Sequence, residues 1–181
     1  MSTDDAWLVA IDLQHVFGDP GSPWASGQFE RAVAGTRALQ PAFVGRTVLT
    51  RFVAPADPSG AWVPYYADWP FALVADDDPL YALVPAVAEV DAPVVNATTF
   101  GKWGLALSAA TQGSDSLVLT GVSTDCCVLS TALAAADAGI AVRVVTDACA
   151  GASETDHQRA LDAMALYAPL ITLTTVAEVL G

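Results

Sequence analysis

Two adjacent cysteines, Cys126 and Cys127, follow a short apolar run, Leu117-Val118-Leu119-Thr120, that ends in Gly121. The run reads as a strand and the residues after it as the start of a helix. Thr124 suits the N-cap, where its hydroxyl accepts from an orphan first-turn amide. Asp125 then faces the positive end of the helix dipole, and Gly139 suits the C-terminal stop. A thiol in such a first turn has free amides and the dipole beside it, which favour the nucleophilic thiolate. Cysteine is also a small hydrophobe that packs, and the chemistry alone leaves both readings open. A nucleophile needs a base and a cation. Asp12 stands at the end of the first apolar run, Trp7–Ile11. Lys102 is the only lysine beside six arginines, and the two cations are not interchangeable at a tight site. A turn or capping bond for Asp12 and a snorkelling surface stem for Lys102 are the plain alternatives.

The elements that must bring these groups together are short apolar runs at Trp7–Ile11, Thr47–Val53, Pro93–Ala97, Ser116–Thr120, Ala141–Thr146 and Leu170–Leu173. Continuous β-branched runs suit strands covered on both faces. Helical patterns fall between them, near 26–40, 79–90, 103–112, 125–138 and 153–167, with a short one after Thr174. This alternation predicts a single α/β domain over 1–181, a three-layer α/β/α sandwich on a mostly parallel sheet of about six strands. Ligands of such a sheet bind at the carboxyl ends of its strands. Asp12, Arg51, Thr98 to Lys102, Gly121 to Cys127 and Asp147 all follow strands there. The stretch 54–78 reads as one long irregular loop carrying Trp62, Tyr65, Tyr66, Trp69 and Phe71, and loops of that length are usually functional. Asp76-Asp77-Asp78 reads as the end of that loop and the cap of the next helix. Phe17, Trp62, Tyr65, Tyr66 and Trp69 are candidate pocket walls, with plain core or an oligomer contact as the other reading. Arg51 is a candidate for holding a substrate carboxylate.

Composition narrows the function classes. The chain has 181 residues, 54% of them hydrophobic, and a formal net charge of −13. It is long enough to bury a full core, and its charge disfavours nucleic acid and anionic membranes. The start, MSTDDAW, lacks a basic leader, and no apolar run is long enough for a bilayer. Three cysteines, two of them adjacent, make no disulfide framework, so the expected location is the cytoplasm. The sequon Asn96-Ala97-Thr98 is discounted as lying in a buried strand. The high apolar fraction and the aromatic loop predict a homodimer or homotetramer, with a small molecule as the other partner.

With these residues assembled, the chain resembles the isochorismatase-like cysteine hydrolases, the group of nicotinamidases and N-carbamoylsarcosine and ureidoacrylate amidases. The resemblance rests on Leu8-Val9-Ala10-Ile11-Asp12-Leu13-Gln14 with Phe17, on Gly121-Val122-Ser123-Thr124-Asp125-Cys126-Cys127-Val128, on Val144-Val145-Thr146-Asp147-Ala148-Cys149, and on His157. It implies Cys127 as nucleophile, with Cys126 and Cys149 packed, and Asp12 as its acid–base partner. It implies a non-proline cis peptide between Val122 and Ser123, and an oxyanion hole formed by the backbone amides of Ser123 and Cys127. The family's lysine stands nearer the end of the third strand; here Lys102 must reach the same point from the following turn, between Gly101 and Gly104. Nicotinamidases add an aspartate and two histidines for a metal. This chain has only His15 and His157, so neither a metal nor another cofactor is expected, although His15 can line the pocket. The implied activity is metal-independent hydrolysis of a C–N bond in a small amide, ureido or carbamoyl compound through a thioester. The alternatives are an isochorismatase-type ether hydrolase, which lacks the cysteine, and a flavodoxin-like binding module, for which no glycine-rich phosphate loop follows the first strand.

Overall fold

The computed structural model describes residues 5–181. Six strands run β1 Trp7–Ile11, β2 Thr47–Phe52, β3 Val94–Ala97, β4 Ser116–Val122, β5 Ala141–Ala150 and β6 Ile171–Thr174. They form one sheet in the order β3-β2-β1-β4-β5-β6, and every neighbouring pair is parallel. This is the doubly wound order with its switch between β1 and β4; a flavodoxin-like sheet has a different order. The central strands β1 and β4 are buried at every position, because helices cover both faces. The edge strand β3 is half covered, and Asn96 is exposed. The expected burial of the sequon is therefore incorrect: an edge strand lacks the second neighbour that would shield it.

The helices are α1 His15–Gly18, α2 Phe29–Leu39, α3 Trp62–Asp68, α4 Pro85–Ala88, α5 Leu105–Ala110, α6 Leu129–Asp137, α7 Glu154–Ala165 and α8 Val176–Leu180. On α2 the buried positions are Phe29, Ala32, Val33, Thr36 and Leu39, one apolar stripe at helical spacing. That stripe lies on the sheet, where the Thr36 hydroxyl meets the Thr120 hydroxyl at 2.9 Å. Leu39 joins Leu8, Val118, Val145 and Val179 in the core on this face, shared with α8. On the other face Leu107 of α5, Ala132 and Ala135 of α6 and Leu161 and Met164 of α7 close over Val9, Leu117, Leu119 and Val144.

Three expectations change here. The stretch 54–78 contains α3 and a short 3₁₀ turn at Pro70–Ala72. The stretch 79–90 is a 3₁₀ turn, Pro79–Tyr81, capped by Asp78, followed by the single turn α4. Asp147 is not at a strand end, since β5 continues to Ala150; its carboxylate accepts from the Val176 amide at 2.8 Å and tethers α8.

Candidate active site

Asp12, Lys102 and Cys127 meet at the carboxyl end of the sheet, although each follows a different strand. Asp12 ends β1 with a φ of 50°, a left-handed conformation that non-glycine residues adopt only when the surroundings impose it. The surroundings here are Thr50 of β2. Its hydroxyl accepts from the Asp12 amide at 3.2 Å and donates to Asp12 Oδ1 at 2.6 Å. Gln14 then ties the same corner to β2: its Nε2 donates to the carbonyls of Phe52 and Tyr81, and its Oε1 accepts from the Phe52 amide.

The Lys102 Nζ lies 2.9 Å from Asp12 Oδ2, and both side chains are fully buried. It also donates to the Thr99 carbonyl at 2.8 Å and stands 5.1 Å from the centre of the Phe52 ring. The turn inward does not depend on the flanking glycines, neither of which has a left-handed φ. It is held by Thr131 of α6, which accepts from the Lys102 amide at 2.9 Å and donates to the Cys127 carbonyl at 2.6 Å. One threonine thus registers the lysine loop against the cysteine helix.

Cys127 lies in a wide π-turn, Thr124–Val128, that precedes α6. The Val128 amide donates back to Ser123 O at 3.1 Å; such turns recur at functional sites. The expected cap is corrected here. Ser123 holds the N-cap position, with its hydroxyl on Asp125 Oδ1 at 2.7 Å. Thr124 is buried and its hydroxyl meets His157 Nδ1 at 2.8 Å. The Val122–Ser123 peptide is cis. Gly121, at φ 110°, passes so close to β1 that a Cβ would lie 2.0 Å from the Ile11 carbonyl, so only glycine fits.

The thiol of Cys127 is 2% exposed as a residue. Burial, then the charge of Asp12, push its pKa well above the ordinary thiol value, and a hydrogen bond to Asp12 adds to this. The Lys102 ammonium and a hydrogen bond from the Ser123 backbone act the other way. Desolvation and the adjacent carboxylate thus oppose the thiolate that the helix dipole favours. Cys126 is pushed up to about 11 by burial and then by Asp125. Cys149 is buried, as expected, and is pushed up to about 12, mainly by desolvation.

A cavity of about 270 Å³ opens over Cys127. Of the aromatic candidates, Phe17, Tyr65 and Trp69 line it. Trp62 and Tyr66 do not: Tyr66 is core, 2% exposed, and Trp62 packs behind the wall on Phe100 and Tyr65. Arg51 also lies outside it. Its guanidinium donates to the Tyr81 and Asp76 carbonyls and pins the 54–78 segment instead. His15 pairs with Asp19 at 3.1 Å beside a separate hollow. Cys126, expected to be packed away, shares the wall. Trp24, Phe52 and Phe100 complete the wall and had no place in the sequence-based site. The sign of Trp24 was an isolated tryptophan between Pro23 and Ala25 with no helical or strand period to bury it. The 54–78 aromatics are absorbed by this cluster, Trp24 lying 6.0 Å from the rings of both Tyr65 and Trp69.

Among the described residues no group of three or more His, Cys, Asp or Glu side chains is placed to hold a metal ion, so the nicotinamidase metal set does not fit here. No helix among the described residues is long and apolar enough to cross a membrane.

The Isochorismatase domain family matches residues 6–178. Solved structures share the fold at low identity. A cysteine hydrolase from Pseudomonas syringae pv. phaseolicola 1448A superposes with a TM-score of 0.84 at 20% identity, over 97% of this chain and 90% of that one. The N-carbamoylsarcosine amidase from Thermoplasma acidophilum gives 0.76 at 19% over all of both chains. The pyrazinamidase of Pyrococcus horikoshii in complex with zinc gives 0.77 at 21%, over 94% of this chain and 99% of that one. A search of curated proteins found no match. With its six-stranded parallel sheet and a family match over nearly the whole length, the chain belongs to the isochorismatase-like hydrolase family.

Proposed function

We propose that the protein is a metal-independent cysteine hydrolase that cleaves a C–N bond in a small amide, ureido or carbamoyl compound. The observation that carries this reading is the buried Lys102–Asp12 pair, 2.9 Å apart, whose carboxylate is close enough to the buried Cys127 thiol to raise its pKa. A lysine and a carboxylate taken fully out of water are costly unless paired, and their chemical use is to move the thiol proton. Asp12 takes that proton as sulfur attacks the substrate carbonyl carbon. The C–S bond forms and the carbonyl electrons move to oxygen, which the Ser123 and Cys127 amides receive. The C–N bond then breaks, and the leaving nitrogen takes the proton from Asp12. Water adds to the thioester and gives a proton to Asp12; the C–S bond then breaks as Asp12 passes that proton to sulfur, restoring the thiol. The sum is amide plus water to acid plus amine. Positioned proton transfer contributes about 10²–10⁴-fold, and each oxyanion donor about 10²–10³-fold. Lys102, 2.9 Å from Asp12 Oδ2, holds the carboxyl group in place through these transfers.

The test is ammonia release from a panel of small amides and ureides, with wild type against Cys127→Ala and Asp12→Asn. Release by wild type, abolished in both variants, is the expected result. Wild-type turnover by Cys127→Ala refutes the mechanism. An ether hydrolase would release no ammonia from any member of the panel. The proposal includes cytoplasmic action, in keeping with three free cysteines, and a homodimer or homotetramer. Val44, Leu105 and Leu166 are 82%, 92% and 85% exposed, and a monomeric mass in light scattering counts against association.

A further inference from the structure

We infer that the cavity over Cys127 selects amides whose non-reacting end is an ammonium cation and rejects those that carry a carboxylate. This inference rests on the hydrolase reading for the identity of the reacting end. Three observations carry the rest.

Six aromatic rings, Phe17, Trp24, Phe52, Tyr65, Trp69 and Phe100, line the cavity. They meet at varied angles, Trp24 stacked on Phe17 at 13° and crossing Phe71 at 72° and Trp69 at 63°. Walls of this kind hold cations by their ring faces. The second observation is charge. No arginine, lysine or histidine stands among the described lining residues. Lys102 is held behind the wall by Asp12 and the Thr99 carbonyl, and Arg51 by the carbonyls of Tyr81 and Asp76. A substrate carboxylate would lose its water and find no cation.

The third observation is Asp125, the one carboxyl group on the wall. Its Oδ1 is occupied by the Ser123 hydroxyl at 2.7 Å and the Ala152 amide at 2.9 Å. Among the described residues its Oδ2 meets only the Cys126 thiol, at 3.6 Å. One oxygen thus builds the wall while the other has acceptor capacity left. Gly151 keeps this arrangement open, since a Cβ there would lie 2.8 Å from Asp125 Oδ1. The net charge of −13 draws cations toward the opening.

The experiment uses three matched probes on the Cys127→Ala variant, so that binding is read without turnover: betaine amide, its uncharged isostere 3,3-dimethylbutanamide, and malonamate. Calorimetric titration at low salt is expected to give betaine amide about tenfold tighter than the isostere, with no binding of malonamate. Asp125→Asn, which keeps an acceptor for the Ala152 amide, is expected to reduce the preference several-fold by weakening betaine amide more than the isostere. Equal or weaker binding of betaine amide, no binding of it at millimolar concentration, or binding of malonamate overturns the inference. The two readings fail separately. Selective binding with no ammonia release by wild type leaves the cavity assignment standing and removes the hydrolase. Ammonia release with no preference does the reverse.

Discussion

Replacing Lys102 with methionine keeps the length of the stem and removes only the ammonium. Asp12 is then left with no exposure and no cation. Removing one partner of a buried ion pair costs about 3–5 kcal/mol, because the other charge stays desolvated. For a chain of this length, at about 2–4 °C per kcal/mol, the melting temperature should fall by roughly 6–20 °C. The lost contacts with the Thr99 carbonyl and the Phe52 face act in the same direction. The assay is urea unfolding at pH 7 followed by tryptophan fluorescence, on wild type, Lys102→Met, Asp12→Asn and the double variant. If Asp12 is the source of the cost, neutralising it in the Lys102→Met background recovers about 2 kcal/mol or more, a coupling of the size expected for groups in contact. Ammonia release should be lost in all three variants. A Lys102→Met deficit within about 1 kcal/mol, the range of an exposed pair, or single-variant costs that simply add, would refute the reasoning.

Other outcomes follow from the same contacts. Arg51→Ala should leave substrate affinity unchanged while costing about 0.5–1.5 kcal/mol, the net worth of ordinary hydrogen bonds, because the Asp76 carbonyl is exposed to water and the Tyr81 carbonyl keeps Gln14 Nε2; a raised KM would return Arg51 to the site. His157 has its pKa lowered from 6.5, first by burial. The unfolded chain therefore takes up that proton more readily as pH falls, and the stability present above pH 6.5 is lost below it. His157→Gln should flatten that acid slope in thermal melts, and an unchanged slope would assign it elsewhere. Incubation with a chelator should leave activity intact, and stoichiometric zinc in the purified protein would overturn the metal-free mechanism.

The sequence carried the strands well where both faces are covered. Trp7–Ile11 is apolar at every position, and β1 has those bounds. It carried less where tertiary contacts decide. Ser116–Thr120 and Ala141–Thr146 both extend further, through Val122 and Ala150, because pairing of Gly121 with Cys149 continues the ladder past the apolar run. Asp12, Lys102 and Cys127 were legible from residue type and resemblance, and Lys102 from its singularity. The partners that hold them were not. Thr50, Thr131 and Phe52 look like ordinary strand and helix residues until β2 and α6 are set beside Asp12 and Lys102. The aromatic wall was half legible: the 54–78 segment announced itself by composition, but whether a ring faces the cavity or the core depends on the helical rotation of α3, which separates Tyr65 from Tyr66.

Lys102 follows β3, while Asp12 and Cys127 follow β1 and β4, so β2 lies between the lysine and its partners and Phe52 forms the bridge it crosses. β3 is a four-residue strand at the edge of the sheet, and outer elements open locally at lower free energy than central ones. The chemistry is therefore only as durable as the sheet's margin. Detachment of β3 and the 98–104 turn withdraws the cation while β1, β4 and the main core remain folded. Catalysis would then fail at a denaturant concentration where circular dichroism still reports an intact protein.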